Sequence, residues 1–361
     1  MATERLKLVV LFGGESPEHE VSCVSAQAVV ANADRYEVDL LAITKGGEWV
    51  RPNIEAALSG EPLVAEGEPV DAYKAISEVK MTGGVIFPAL HGPKGEDGTV
   101  QGLFDLTGVA YVGCGVLASA VCMDKVATKQ TLASAGLPVV RHRVLTADQL
   151  IQEDQLMAIP EAVAELGLPV FVKPVNMGSS IGVSKATNLE ETIAAVAEAS
   201  RYDRTVLIEE AIDGREIECS LLGNFQGTPL RASVPGEIVP GDDFYTYADK
   251  YKNNQALLIV PAPLDATETA EFQEMSIQVG EVLGIDGLAR VDFLYNTARG
   301  PFINEVNTMP GFTPISLYPM TWKESGLSYS ELVDELVQLA LERHKARQQL
   351  LTHPDESHRL S

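Results

Sequence analysis

Ala289-Arg-Val-Asp-Phe-Leu-Tyr295, a turn over Asn296 to Gly300, and Phe302-Ile-Asn-Glu-Val-Asn307 form the stretch that decides how this chain is read. Two runs rich in apolar and β-branched residues around a short turn predict a β-hairpin. With Ala298 and Arg299 as its loop, Asp292 falls opposite Glu305 and Arg290 opposite Asn307. Side chains alternate between the faces of a strand, so these four polar groups share one face. Val291, Phe293, Ile303 and Val306 mark the strands as half buried. Two carboxylates and an amide oxygen suit Mg²⁺ or Mn²⁺, which take oxygen ligands and complete their shells with water and substrate phosphates. A solvated hairpin can carry a cross-strand Arg/Asp pair as well, but the buried flanks and the glycine-containing loop that follows, TMPGFTPISL, favour a metal site.

Upstream, a strand ending in Val172-Lys173-Pro174 runs into NMGSSIGVS, a small loop containing Gly178, Ser179, Ser180 and Gly182. Its backbone N–H groups can wrap phosphate oxygens. Glycine permits the positive φ of such a nest, the serine hydroxyls add donors, and Lys173 supplies charge. The loop is neither a Walker motif nor a dinucleotide fingerprint. Lys125, after Met123-Asp124 at a helix start, is a second candidate cation. Val206-Leu-Ile-Glu-Glu210 and Asp213-Gly-Arg-Glu216 offer strand-end backbone for an adenine edge and carboxylates for amino or ribose groups.

The first third alternates strand-like and helical runs, LKLVVLF, VSAQAVVANA, VDLLAI and GGVIFPAL, the pattern of a parallel α/β sheet. A second unit is expected from near Ser119, with a helix through KVATKQTLASAG. A third is expected from about Val206, closing with a helix from Tyr329 to about Arg347 before a polar tail. The 361 residues fit two or three domains. Acidic residues outnumber basic ones 51 to 27, a net charge of -24, which disfavours nucleic acid and anionic membrane as partners. Any anionic ligand therefore needs locally placed lysines or arginines.

The apolar run at the start ends after Phe12, too short for a signal-peptide core, and is expected to be the first strand. The uncharged stretch Leu106 to Met123 is interrupted by Gly108, Gly113 and Gly115, so it is expected to be strand, turn and helix start instead of a membrane span. Cys23, Cys114, Cys122 and Cys219 lie far apart without C-x-x-C spacing, so no zinc site or disulfide framework is expected and a reducing cytoplasm fits.

Taken in order, M-D-K, V-K-P, G-S-S-x-G, I-E-x-x-x-x-G-x-E, R-x-D and N-E-x-N resemble the ATP-grasp enzymes, which clamp ATP between two α+β subdomains. The resemblance implies an N-terminal doubly wound parallel-sheet domain over 1–118, ATP-grasp subdomains over 119–207 and 208–347, and a tail over 348–361. It implies phosphate roles for Lys125, Lys173, Ser179 and Ser180, and nucleotide contacts at Glu209, Glu210, Ile212 and Glu216. It places metal ligation at Asp292, Glu305 and Asn307, with two Mg²⁺ or Mn²⁺ ions per site.

LFGGESPEHEVSCVSA, ALHGPKGEDGTVQG, Asp249-Lys250-Tyr251 and NTMPGFTPISLYP narrow the likeness to D-alanine–D-alanine ligases. That resemblance implies that Glu20 engages the ammonium of the first D-alanine in a network with Ser179 and Tyr251. His91 would sit beside the first substrate, Lys250, Ser316 and Leu317 would hold the carboxylate of the second, and Arg290 with the Gly311 backbone would face the oxyanion. The implied reaction passes through a D-alanyl phosphate, releases ADP and phosphate, and serves peptidoglycan precursor synthesis, beneath a lid from Pro240 to Asn254. D-lactate or D-serine as acceptor, or a non-catalytic nucleotide-binding regulator, are the alternatives, and the complete metal set argues against the regulator. A homodimer is expected from the resemblance.

Overall fold

A computed structural model describes residues 5–146, 157–240 and 256–351. The first sheet contains β1 (Lys7–Gly13), β2 (Glu37–Ile43), β3 (Trp49–Arg51), β4 (Glu68–Pro69), β5 (Val85–Pro88) and β6 (Ala110–Tyr111), in the order β4-β3-β2-β1-β5-β6. The strands from β2 to β6 in that order pair in parallel, and β3 and β4 add an antiparallel edge. Leu8, Val10 and Phe12 of β1 pack with the helix His19–Ala31, while Val9 and Leu11 face the helices Ala72–Met81 and Thr99–Thr107. That period-two division gives a doubly wound layer with a core on each face.

The second sheet holds β7 (His142–Thr146), β8 (Val170–Pro174), β9 (Ser184–Ala186) and β10 (Thr205–Glu210), all antiparallel, in the order β7-β10-β8-β9. The helices Ala158–Leu166 and Leu189–Ala199 cover one of its faces. The third sheet is built from β11 (Arg215–Asn224), β12 (Arg231–Ala232), β13 (Gly236–Val239), β14 (Leu257–Ile259), β15 (Asp286–Asn296) and β16 (Gly300–Asn307). Its order is β14-β13-β11-β15-β16, with β12 beside β11. The helix Ala266–Leu283, opened by an Asp265/Glu268 capping box and stopped by Gly284 at φ 69°, packs beneath it.

Two expected boundaries move. Residue 119 lies inside the helix Val116–Met123, and β10 stays in the second sheet as far as Glu210, so the passage to the third sheet falls between Glu210 and Arg215. The closing helix, Tyr329–Gln348, was assigned from sequence to the last unit, yet Leu332, Val333, Leu336, Val337 and Leu339 share the core of Leu8, Val10, Phe12 and Phe87. The first sheet is thus covered on one face by a segment more than two hundred residues downstream. Among the described residues, no helix is long and apolar enough to cross a membrane.

The hairpin reaches its expected pairing by a different path. Asn296 pairs with Gly300, leaving three residues in the loop, and Asn296 Oδ1 accepts the amides of Ala298 and Arg299. A three-residue loop shifts the register by one against the two-residue loop expected. A β-bulge at Asn304 shifts it back, so that Asp292 faces Glu305 and Arg290 faces Asn307.

Candidate active site

Asp124 caps the helix Lys125–Ser134 by accepting the amides of Val126 and Ala127, which fixes Lys125 on the first turn. From there Lys125 Nζ donates to the Met177 carbonyl at 2.7 Å and lies 3.4 Å from Glu305. Lys173, on β8, faces the same space. Between the second and third sheets a cleft is lined by both lysines, Gly178, Ser179, Ser180, Glu216, Glu218, Asp292, Asn304 and Glu305. The loop's turn is made by Ser179 and Ser180, both at positive φ (51° and 55°), and by Gly182 at 70°. Two successive non-glycine residues in the left-handed region make a tight turn, closed by the Ile181 amide donating to the Gly178 carbonyl, which carries the two serines at the cleft wall.

On the hairpin, Arg290 grips Asp292 with two bonds of 2.7 Å, and the Asn307 amide donates to the same carboxylate at 2.9 Å. Glu218, opposite Asp292 on β11, approaches Arg290 at 2.9 Å and is 6 % exposed. Asp292, Glu305 and Asn307 supply only oxygen donors to a divalent ion, and Lys125 and Arg290 presently lie against the two carboxylates. Cations thus already sit where a metal's charge would fall, so the donor set fits such an ion. Among the described residues no three His, Cys, Asp or Glu side chains gather into a metal-binding group, so the fit needs the Asn307 amide.

Glu209 is almost fully enclosed near the end of β10. It is 1 % exposed, with Lys129 at 2.7 Å from one oxygen and Lys173 at 2.6 Å from the other. Burial would raise its carboxyl, but the two ammonium groups outweigh that and pull it down to about 2. Glu210, next along the strand, points the other way and pairs with Arg299. Glu216 is half buried in the cleft wall, and Ile212 lies in the connection to β11.

The Glu20 expectation is corrected by the geometry. Glu20 is exposed and paired with Lys45, whereas Glu18, just ahead of the same helix, accepts the Ser179 hydroxyl at 2.5 Å. Positions two apart at a helix start point in different directions, so only one of the two can reach the loop. His91 is buried: Nδ1 is 2.9 Å from the Met309 carbonyl, which requires Nδ1–H, and Nε2 takes the Ser25 hydroxyl at 2.9 Å. Burial holds its pKa below the usual histidine value, consistent with a neutral ring. Ser25 also accepts the Phe312 amide, so His91 and Ser25 brace the loop that carries Gly311.

Ser316 Oγ bonds Thr313 and lies beside Gly311, where an added Cβ would stand 3.0 Å from it. The Leu317 side chain is buried at the start of the helix Leu317–Glu324. Lys250, Tyr251 and all of the expected lid except Pro240 fall outside the described residues.

Sequence reasoning missed Glu18, Lys129, Glu218 and Asn304. Glu216 and Glu218 alternate with the buried Ile217 and Cys219, a period-two signal that was legible. Nothing in the sequence distinguished Lys129 from a surface lysine.

A serine-glycine loop, two lysines and an oxygen-lined hairpin, arranged between two antiparallel sheets, are the layout of an ATP-dependent ligase of the ATP-grasp class, and the matches to known proteins agree. The family descriptions that match are D-ala D-ala ligase N-terminus over residues 7–114 and D-ala D-ala ligase C-terminus over residues 131–338. A D-alanine–D-alanine ligase of Thermoanaerobacter sp. (strain X514) is 45 % identical, covering 95 % of this chain and 99 % of its own. Another, from Heliobacterium modesticaldum, is 43 % identical over 96 % of this chain and 97 % of its own. The solved D-alanine-D-alanine ligase from Coxiella burnetii superposes with a TM-score of 0.78 at 33 % identity, covering 96 % of this chain and 97 % of that one. The VanG D-Ala:D-Ser ligase from Enterococcus faecalis gives the same score and identity over 93 % of this chain and 100 % of its own.

The chain belongs to the D-alanine–D-alanine ligase family. It joins two D-alanine molecules in an ATP-dependent reaction that requires a divalent metal and supplies peptidoglycan synthesis. D-serine or D-lactate as acceptor and a non-catalytic role are not favoured.

Proposed function

We propose that ligation takes place in the cleft between the second and third sheets, where it meets the first. Lys125, Lys173, Ser179, Ser180 and the loop amides hold the ATP phosphates. Glu216 and the strand-end backbone from Glu210 to Ile212 hold the adenosine. Asp292, Glu305 and Asn307 would hold two Mg²⁺ or Mn²⁺ ions, whose charge would offset that of the ATP phosphates.

A free carboxylate is a poor electrophile, so the first D-alanine is converted to its acylphosphate. Glu18 receives the ammonium of that substrate, held in place by Ser179, with Tyr251 completing the contact. Deprotonated, the second amine attacks the acylphosphate carbon. Arg290 and the Gly311 amide face the resulting oxyanion, and phosphate leaves. Lys250 and the Ser316 hydroxyl bind the acceptor carboxylate. Leu317 contributes its backbone N–H, because its side chain is buried and a helix N-terminus favours an anion. His91 acts through the loop it braces.

The observation that carries this reading is the Glu18–Ser179 hydrogen bond, which joins the N-terminal motif to the phosphate loop. Four unpaired cysteines, three of them buried, support a reducing cytoplasmic setting, and a homodimer completes the proposal. The test is ADP release by Glu305→Gln with saturating D-alanine: a loss of about a thousandfold is expected, and turnover within a few fold of the unsubstituted enzyme overturns the metal assignment.

A further inference from the structure

Glu209 lies between two ammonium groups and is almost fully enclosed. Lys129, 1 % exposed, takes one carboxylate oxygen, and Lys173, at the cleft wall, takes the other. The bulge residue Asn304 holds both lysines as well: its carbonyl accepts Lys129 Nζ and its Oδ1 accepts Lys173 Nζ, each at 3.1 Å. A carboxylate alone with Lys173 would position it and cancel its charge. With Lys129 present the buried group carries two positive charges and one negative, so it faces the cleft with a net positive charge.

We propose that Lys129 is a positioning residue for nucleotide binding, the counter-ion that lets Glu209 and Asn304 aim Lys173 at a phosphate without neutralising it. Lys129 does not line the cleft and need not touch the nucleotide. Its effect passes through Glu209, and the bulge that restores the hairpin register also places Asn304 between the lysines. The inference rests on the reading of Lys173 as a phosphate ligand.

Calorimetric titration of the full chain with Mg·ATP, without D-alanine, and separately with adenosine tests it. In Lys129→Met the Kd for Mg·ATP is expected to rise about tenfold or more, since the buried group that presents Lys173 to the cleft loses its net positive charge, while the adenosine Kd stays unchanged. The double variant Lys129→Met/Glu209→Gln restores the single net positive charge on Lys173 and is expected to recover most of the Mg·ATP affinity. Equal weakening of Mg·ATP and adenosine, no weakening of either, or no recovery in the double variant overturns the proposal. Lys173→Met is the separate control. If it leaves Mg·ATP affinity intact, the phosphate assignment itself fails, whereas a loss there with no loss in Lys129→Met rejects only the role of Lys129.

Discussion

Ser179 Oγ donates to Glu18 Oε1 at 2.5 Å, a bond spanning 161 residues of sequence. It ties the loop between β8 and β9 to the entrance of the first helix, so the element proposed to wrap phosphates is registered against the element that would receive an amino acid's ammonium. Glu20 is in the same helix but exposed and engaged with Lys45. Steady-state kinetics on Glu18→Gln and Glu20→Gln separate the two. Glu18→Gln is expected to lower kcat/KM for D-alanine by about a hundredfold, the loss of a charge-assisted contact to an ammonium, and Glu20→Gln by less than about threefold. The reverse order would return the role to Glu20.

Asp292 receives Arg290 through two hydrogen bonds and Asn307 through a third, with Glu218 also beside Arg290. Removing its carboxylate takes one of two acidic partners from the guanidinium proposed to face the developing oxyanion, and removes a proposed metal ligand. Asp292→Asn is expected to lower ADP release by at least about a hundredfold. Chelation of divalent ions should abolish turnover in the unsubstituted enzyme, and added Mg²⁺ or Mn²⁺ should restore it. Turnover that survives chelation would contradict the assignment.

Glu96 joins the loop after His91 to the loop after β16 by accepting the amides of Gly92 and Met309. Burial, together with the negative Glu18 nearby, raises its carboxyl from 4.5 to about 8. Between those values the folded protein holds a proton that the unfolded chain has lost, so stability falls as pH rises through this window and levels off above pH 8. Unfolding free energies of Glu96→Gln and the unsubstituted enzyme from urea titrations, compared from pH 5 to 9, should shift in favour of the variant by about a few kcal/mol over that range. A difference that stays flat with pH would show that Glu96 ionises normally.

The helix Tyr329–Gln348 shares its buried side with the first sheet. Leu336→Ala, at a fully buried position, is expected to cost about 2–5 kcal/mol and to lower the melting of the first sheet together with the rest. Calorimetry showing an N-terminal transition unaffected by the substitution would contradict the shared core.

The sequence shows local periodicity well and distant partnership poorly. The alternation at Val291 and Phe293, the Asp124 cap before Lys125 and the Gly178–Gly182 loop could be read directly, because each depends on neighbours a few residues away. The Asn304 bulge could not: a three-residue loop with a bulge gives the same Asp292–Glu305 pairing as a two-residue loop without one. Choosing Glu18 over Glu20 required the position of Ser179, and the burial of Lys129 required β10 and β16 together. The placement of the closing helix depended on a face of the first sheet that the helix His19–Ala31 covers only together with it.

The most direct measurement is ADP release with ATP, Mg²⁺ and D-alanine, against L-alanine and no-amino-acid controls, with the product weighed by mass spectrometry. Release that requires D-alanine and yields D-alanyl-D-alanine is predicted. ATP bound by a folded protein without D-alanine-dependent ADP release would contradict the account.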